Sequence, residues 1–298
     1  MDEETKGILY LCATPIGNLE DITLRALRVL REVDLIAAED TRHTRKLLSH
    51  YDIHTRLTSY HKFNQVKKGE TLLELLESGK SVALVSDAGL PGVSDPGAEL
   101  VAGALEKGLR VVPVPGPSAG ITALVVSGLP TDAFVFAGFL PAAKKARRQK
   151  LVELRSQKKT LIFYESPHRL RGTLADLQEI LGARPAAVAR ELTKKYEEMI
   201  RGSLQDILKH FQDKEPRGEF TLVVAGATEA QAAGVEDLAE GKEPALSLCP
   251  AAHVALLEAG GVARKEAIRQ AARLRGLSRR EVYHAVVRDK EAKEKGET

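Results

Sequence analysis

The chain has 298 residues, 43% of them hydrophobic, with no Trp and only 4% aromatic residues. That is enough for two domains with aliphatic cores. No apolar run reaches the ~20 residues of a membrane span, and Cys12 and Cys249 are too few for a disulfide framework or a metal site. The net charge of +3 hides an asymmetry: residues 229–258 carry six acids against Lys242, whereas residues 261–298 carry eleven Lys and Arg against six acids. An acidic linker leading into a basic tail points to a polyanionic partner for the tail.

The N-terminal stretch MDEETKGILYLC is acidic where a secretory leader would be basic, so a cytoplasmic protein is expected. Ile8–Ala13 reads as a first buried strand, ending in the turn Thr14–Asn18. Thr23 is placed to cap a helix through Val33. Leu35–Ala38 is a second strand that ends in four polar residues, Glu39, Asp40, Thr41 and Arg42, ahead of a helix over Arg42–Ser49. Ser59–Asn64 reads as a polar loop with aromatic residues, before a helix that includes Leu72–Leu76 and ends at Gly79.

Val82–Val85 is a continuous apolar run of the kind found in a strand covered on both faces. The twelve residues after it, Ser86–Gly97, hold three Gly, two Pro, two Asp and two Ser. Ordinary connections between elements take only ~2–6 residues, and open α/β sheets bind ligands beyond the C-terminal ends of their strands. The spacing next predicts a helix over Gly97–Lys107, a strand over Arg110–Val114, and a helix opened by Ser118 after Pro115-Gly116-Pro117. Exposed N–H groups at such a helix start suit a carboxylate or phosphate.

The alternation restarts with strands at Phe134–Ala137, Thr160–Tyr164, Ala186–Ala189 and Phe220–Ala225. A basic run, Lys144–Lys150, lies between the first two. Ser166-Pro167 opens a helix to Leu181, and Ser203 with Asp206 has capping-box spacing for another helix through Phe211. Residues 226–245 read as a linker. In the tail, Val262–Leu274 is expected to be helical and to end at Gly276, and Ser278-Arg279-Arg280-Glu281 is a capping box for a last helix. Two basic helices about a short turn resemble a helix-turn-helix. The expected fold is α/β: two α/β/α domains with mostly parallel sheets, residues 1–117 and 118–228, and a small helical domain, 245–298.

The chain lacks G-x-x-x-x-G-K-[ST], G-x-G-x-x-G, G-x-S-x-G and H-E-x-x-H, which counts against a phosphate loop, a dinucleotide site, a hydrolase elbow and a zinc protease site. The eight His show no ligand spacing, so no metal is expected. Candidate ligand contacts are the backbone-rich turns Thr14–Asn18, Asp87–Gly92 and Pro115–Ala119.

The segments TPIGNLEDIT, AEDTR, SDAGLPGVSDPG, PGPSA, GFLP, FYESPHR and RELTKKYEE, in this order, resemble the bacterial ribosomal RNA small-subunit methyltransferase I family, a branch of the tetrapyrrole-methylase superfamily. The resemblance covers nearly the whole chain. Two departures are small: Leu90 stands where SDAGTP is usual, and Tyr196 where a His often precedes the paired Glu. The resemblance implies S-adenosylmethionine as cofactor, a cleft between two α/β domains, a homodimer, and methylation of a ribose 2′-hydroxyl of a decoding-centre cytidine in small-subunit rRNA. Carried onto this chain, it implies cofactor contacts at Pro15, Asp87, Ala88, Gly89, Ser118, Ala119, Tyr164 and Leu192.

Removal of the hydroxyl proton calls for a general base. Asp40, Glu39, His61, Glu165 and Glu191 are candidates, with the Glu39-Asp40 pair favoured and Glu165 kept beside it. Arg42, Arg169, Arg190 and Lys194 are candidate substrate contacts, Lys144–Lys150 and the tail candidate phosphate contacts, and His61 and Asn64 candidate readers of the target nucleotide. Each of these charged groups could equally be an ion-pair partner or a helix cap. Tetrapyrrole C-methylation and a non-enzymatic assembly role remain alternatives; the basic tail counts against the first and the undegraded loop motifs against the second.

Overall fold

The computed structural model describes residues 6–93, 95, 97–212, 214–229, 231, 249–259, 262–275 and 277–295. The chain divides into two compact units, Met1–Gly226 and Ala227–Thr298.

The first unit holds two five-stranded sheets. In the first sheet, β1 (Ile8–Cys12), β2 (Leu35–Ala38), β3 (Leu57–Ser59), β4 (Val82–Val85) and β5 (Arg110–Val114) lie in the order β3-β2-β4-β1-β5, every neighbouring pair parallel. Helices cover both faces, which is why the central strand β4 and its neighbours β1 and β2 are continuously apolar. On one face α1 (Leu24–Glu32) and α2 (Thr41–His50) contribute Ala26, Val29, Leu30, Leu47 and Leu48 to a buried cluster. On the other, α3 (Gln65–Glu77) and α4 (Gly97–Glu106) contribute Leu72, Leu76, Leu100 and Ala104. Thr23 caps α1 as expected, accepting the Ala26 N–H at 3.1 Å.

The second sheet has the order β6-β7-β10-β8-β9, built from β6 (Phe134–Phe139), β7 (Thr160–Glu165), β8 (Pro185–Arg190), β9 (Glu198–Ser203) and β10 (Phe220–Val224). Helices α6 (Lys144–Glu153), α7 (Pro167–Leu181) and α8 (Leu204–His210) cover one face through Leu151, Leu170, Leu174, Leu177 and Ile207. Helix α5 (Ala119–Ser127) covers the other, where Ala123 and Leu124 meet Ile162, Ala189 and Val223. The position 117/118 falls between β5 and α5, so the strands of the two sheets lie on either side of it.

Taken over both sheets the pairings are mostly parallel, but the second sheet alone departs from the expectation. Only β6·β7 is parallel there; β7·β10, β10·β8 and β8·β9 are antiparallel. The reason is connection length. β8 passes to β9 through residues 191–197, too few for the crossover that parallel neighbours need. The chain then returns through α8 and enters β10 from the opposite end.

The basic run is a helix, α6, and two of its five cations, Arg147 and Arg148, are committed to α7. Arg147 is buried, and its Nε donates to Asp176 Oδ2 at 2.7 Å; Arg148 donates to Asp176 Oδ1 at 3.0 Å and pairs with Glu179. Arg147 and Arg148 are therefore ion-pair partners within the fold, the alternative open to every charged candidate, whereas Lys144 and Lys145 are exposed.

In the second unit, α9 (Pro250–Ala259), α10 (Arg264–Arg275) and α11 (Arg279–Lys295) bury Val254, Ala267, Ala271, Ala272 and Val282 together. The expected capping box forms: Ser278 N donates to Glu281 Oε2 at 2.7 Å, and Glu281 N donates to Ser278 Oγ at 3.3 Å. Of the expected linker over 226–245, residues 230 and 232–245 lie outside the described residues, as does the helix stop at Gly276.

Candidate active site

A cavity of about 460 Å³ opens where the C-terminal ends of β4, β7 and β8 meet the start of α5. Its size suits a small-molecule ligand. A shallower depression of about 390 Å³, lined by Arg31, Asp34, Asp52, His54 and Arg56, lies at the opposite, N-terminal ends of β2 and β3.

The long loop after β4 forms one wall through Ser86, Asp87, Ala88, Gly89 and Leu90. It is pinned to the turn after β1 by paired backbone hydrogen bonds, Thr14 N to Gly89 O at 2.9 Å and Gly89 N to Thr14 O at 3.0 Å. Gly89 adopts φ +85° here, a left-handed conformation that favours glycine. Farther on, Asp95 Oδ1 accepts the N–H groups of both Gly92 and Gly97, at 2.7 and 2.8 Å, folding the loop back on itself. Asp87 Oδ1 accepts the Asp40 N–H at 2.8 Å, tying the ends of β4 and β2 together.

The second wall comes from the second sheet. Tyr164 packs edge-on against Phe136 and Phe139, and its hydroxyl accepts the Gly120 N–H at 3.1 Å. Burial pushes the Tyr164 phenol above its usual range, outweighing that hydrogen bond. The phenol thus takes one of the N–H groups that open α5, while the Ser118 side chain forms no cap. Leu192 enters from the turn after β8. Its two neighbours, Glu191 (φ +51°) and Thr193 (φ +65°), are both left-handed, which is strained for a β-branched residue. That turn is clamped by Lys194, whose Nζ donates to Glu191 Oε1 and Glu219 Oε2, each at 2.9 Å.

Of the expected cofactor contacts, Asp87, Ala88, Gly89, Ser118, Ala119, Tyr164 and Leu192 line this one cavity. Pro15 is buried in its turn, and the neighbouring Ile16 forms the wall instead. Of the five candidate bases, His61 and Glu191 lie outside the cavity wall, and the other three separate. Glu39 lines the cavity, and its carboxyl is held above the usual range by burial and then by the nearby charges of Asp87 and Asp95. Asp40 is committed as the N-cap of α2 and as the partner of Arg42, whose hydrogen bonds hold its carboxyl below the usual range. Glu165 also lines the cavity, but both its oxygens are engaged: Oε1 accepts Ser166 N at 2.8 Å and Oε2 accepts Thr173 Oγ1 at 2.6 Å.

The remaining expected substrate contacts lie outside the cavity wall. Arg42 is exposed, paired with Asp40 at 3.1 Å. Arg169 donates to the Leu140 carbonyl at 2.5 Å and pairs with Glu165 at 3.4 Å. Asn64 accepts the His61 N–H at 2.8 Å and donates to Ser59, so His61 and Asn64 shape their own turn.

Several wall residues were not expected. Glu219, Phe220 and Thr221 stand at the beginning of β10, not at a strand's C-terminal end. Because β10 runs antiparallel, Phe220 pairs with both Glu165 and Arg190 and its start is delivered to the cavity. Asp95 was legible as loop chemistry, but nothing local showed that it faces the ligand space.

The electrostatics narrow the ligand. Glu39, Asp87, Asp95, Glu165 and Glu219 line the cavity, and no Lys or Arg does among the described residues. Arg169 pairs with Glu165 and Lys194 with Glu219, so Glu39, Asp87 and Asp95 are the carboxylates that disfavour a nucleoside polyphosphate. A ligand with an apolar body, polar edges and positive charge is accommodated, and the sulfonium and ammonium groups of S-adenosylmethionine meet that description.

Residues 8–208 match the family described as tetrapyrrole (corrin/porphyrin) methylases. The ribosomal RNA small subunit methyltransferase I of Halalkalibacterium halodurans is 52% identical, over 94% of this chain and 95% of its own length. The Bacillus subtilis protein of the same name is 49% identical over 94% of each chain. The crystal structure of uroporphyrin-III-C-methyltransferase from Thermus thermophilus is 24% identical, covers 74% of this chain and 94% of its own, and superposes with a TM-score of 0.52, a likeness of fold. An acid-lined cleft between these two sheets is accounted for by this kinship: the chain is a methyltransferase that uses S-adenosylmethionine, and it belongs to the tetrapyrrole methylase family, in its ribosomal RNA small subunit methyltransferase I branch.

Proposed function

We propose that this chain methylates the ribose 2′-hydroxyl of a cytidine in the decoding region of small-subunit ribosomal RNA. The observation that carries the reading is the cavity itself, walled by both sheets, rich in carboxylates and free of lysine and arginine among its described residues. The names of the close relatives supply the RNA.

When bound, S-adenosylmethionine supplies an electrophilic methyl group on sulfur. Asp87, Ala88 and Gly89 hold the cofactor from the first lobe, and Ser118, Ala119, Tyr164 and Leu192 from the second. Orienting two bound reactants is worth up to ~7–11 kcal/mol, so this two-sided grip is the larger catalytic contribution. Glu39 accepts the hydroxyl proton. Its raised pKa brings it nearer the working pH than an ordinary carboxylate, the condition that favours a general base.

The helical unit within 245–298 gathers the RNA. Arg264, Lys265, Arg279 and Arg280 are exposed on it, as is Tyr283. A second copy of the chain is the expected protein partner. The apolar side chains Ile121, Val125 and Val126, exposed along α5, support that pairing. No helix among the described residues is long and apolar enough to cross a membrane, and the ribosomal substrate makes the cytoplasm the site of action.

The test is transfer of labelled methyl from S-adenosylmethionine to small ribosomal subunits, with a tetrapyrrole precursor offered in parallel. Label in RNA is expected. Label in the pigment, or none in either, refutes the reading.

A further inference from the structure

The turn after β3 carries a side chain that the site as described does not use. Phe63 is 95% exposed. Single exposed apolar residues are common, but this one is held out by a built turn. Asn64 Oδ1 accepts the His61 N–H at 2.8 Å, Asn64 N donates to the His61 carbonyl at 2.9 Å, and Asn64 Nδ2 donates to the carbonyl and hydroxyl of Ser59 at 3.3 and 3.2 Å. Phe63 is the tip of that turn. Val66, 75% exposed, follows it in the first turn of α3. Lys62 and Lys67 are exposed on either side in sequence.

The turn lies next to the cavity. Ser59 pairs with Ala38, and Tyr60 N donates to the Ala38 carbonyl at 2.8 Å, so the turn sits beside the residue that leads into Glu39. The His61 ring stands 6.1 Å from that of Phe63, and its buried Nδ1 has no hydrogen-bond partner among the described residues.

An exposed aromatic face flanked by ammonium groups matches what an unstacked base needs: a π-surface for the base and cations for the adjoining phosphates. We propose that Phe63 is a stacking platform for a nucleobase of the substrate RNA, beside the ribose being methylated, with Lys62 and Lys67 meeting the flanking phosphates. The proposal rests on the cavity being an RNA methylation site. The two exposed lysines favour RNA over an apolar protein surface as the occupant.

The chain contains no Trp, so Phe63→Trp places a lone indole at the tip of the turn. Its emission is expected to be quenched saturably by a single-stranded RNA oligomer of decoding-region sequence. Phe63→Ala is expected to raise KM for small ribosomal subunits about 5- to 100-fold, the range that base–aromatic stacking supplies. The effect on kcat should be smaller, affinity for S-adenosylmethionine should stay at the wild-type value, and Phe63→Trp should restore KM. Wild-type KM in Phe63→Ala, or indole emission unchanged while anisotropy of a labelled oligomer reports binding, overturns the proposal. A wild-type protein that methylates no RNA removes the underlying function instead, and that control is read before either variant.

Discussion

Gly17→Ala tests how tightly the two walls of the cavity are pressed together. A Cβ at Gly17 would stand 2.3 Å from Lys194 Cγ, and 3.0 Å from both the Leu192 carbonyl oxygen and Thr193 Oγ1. Ordinary van der Waals contact would require Lys194 to retreat by about 1 Å or more. It cannot swing freely, because its ammonium is held at 2.9 Å by both Glu191 and Glu219. The other two contacts belong to a turn already strained at Glu191 and Thr193. Overpacking of this kind costs ~1–3 kcal/mol. The displacement falls on Leu192, which lines the cavity, so most of the cost should appear as weaker cofactor binding: a Kd raised roughly 5- to 100-fold. The assay is titration calorimetry with S-adenosylmethionine, paired with thermal unfolding. Gly128→Ala is the control. Gly128 has φ +79° and nothing within 4 Å, so its variant should lose stability through backbone strain and keep its affinity. Wild-type affinity in Gly17→Ala would refute the reasoning, since the walls would then be free to yield.

Glu39→Gln should lower kcat ~10²–10⁴-fold, the range general-base help supplies, with calorimetric affinity for the cofactor largely retained. In the wild type, burial and the Asp87 and Asp95 charges raise the Glu39 pKa. Activity should therefore fall as pH drops through a value above the ordinary Glu range, and Glu39→Gln should erase that limb of the pH–rate profile. The stability effect has the opposite sense. An acid with a raised folded-state pKa destabilises the fold once ionised, so Glu39→Gln should melt higher than wild type near neutral pH, and the difference should vanish below the ordinary Glu range. Asp176→Ala leaves Arg147 buried without its carboxylate. A loss of ~3–5 kcal/mol in denaturant unfolding is expected, with cofactor affinity unchanged in the protein that remains folded. Removal of residues 245–298 should weaken binding to ribosomal RNA and flatten its salt dependence while leaving cofactor titrations unaltered; lost cofactor binding in a folded truncation contradicts that division of labour.

Much of the first sheet was legible because parallel strands covered on both faces are short apolar runs bounded by turn residues. Leu35–Ala38, Val82–Val85 and Arg110–Val114 form strands at the expected limits. Two strands were not legible. Leu57–Ser59 has one apolar residue, and Glu198–Ser203 is a half-exposed edge strand of mixed polarity. Missing β9 also hid the antiparallel return of the chain, and with it the delivery of Glu219–Thr221 to the cavity. Helix α6 read only as a basic run because the partners of its two arginines, Asp176 and Glu179, lie about 30 residues away (the separations are 28 to 31 positions). The site loops were legible from overlong turn chemistry at strand ends. Which of their carboxylates faces the ligand was not, since Glu39 and Asp40 are neighbours in sequence and only packing shows that Arg42 claims the second.

The most direct test of the central claim is nucleoside mass spectrometry of small-subunit RNA after incubation with this protein and isotopically labelled S-adenosylmethionine. One new labelled species is expected, 2′-O-methylcytidine, recovered from the decoding-region fragment and absent with Glu39→Gln. A methyl group on a base, a labelled ribose on another nucleoside, or RNA without label would contradict it.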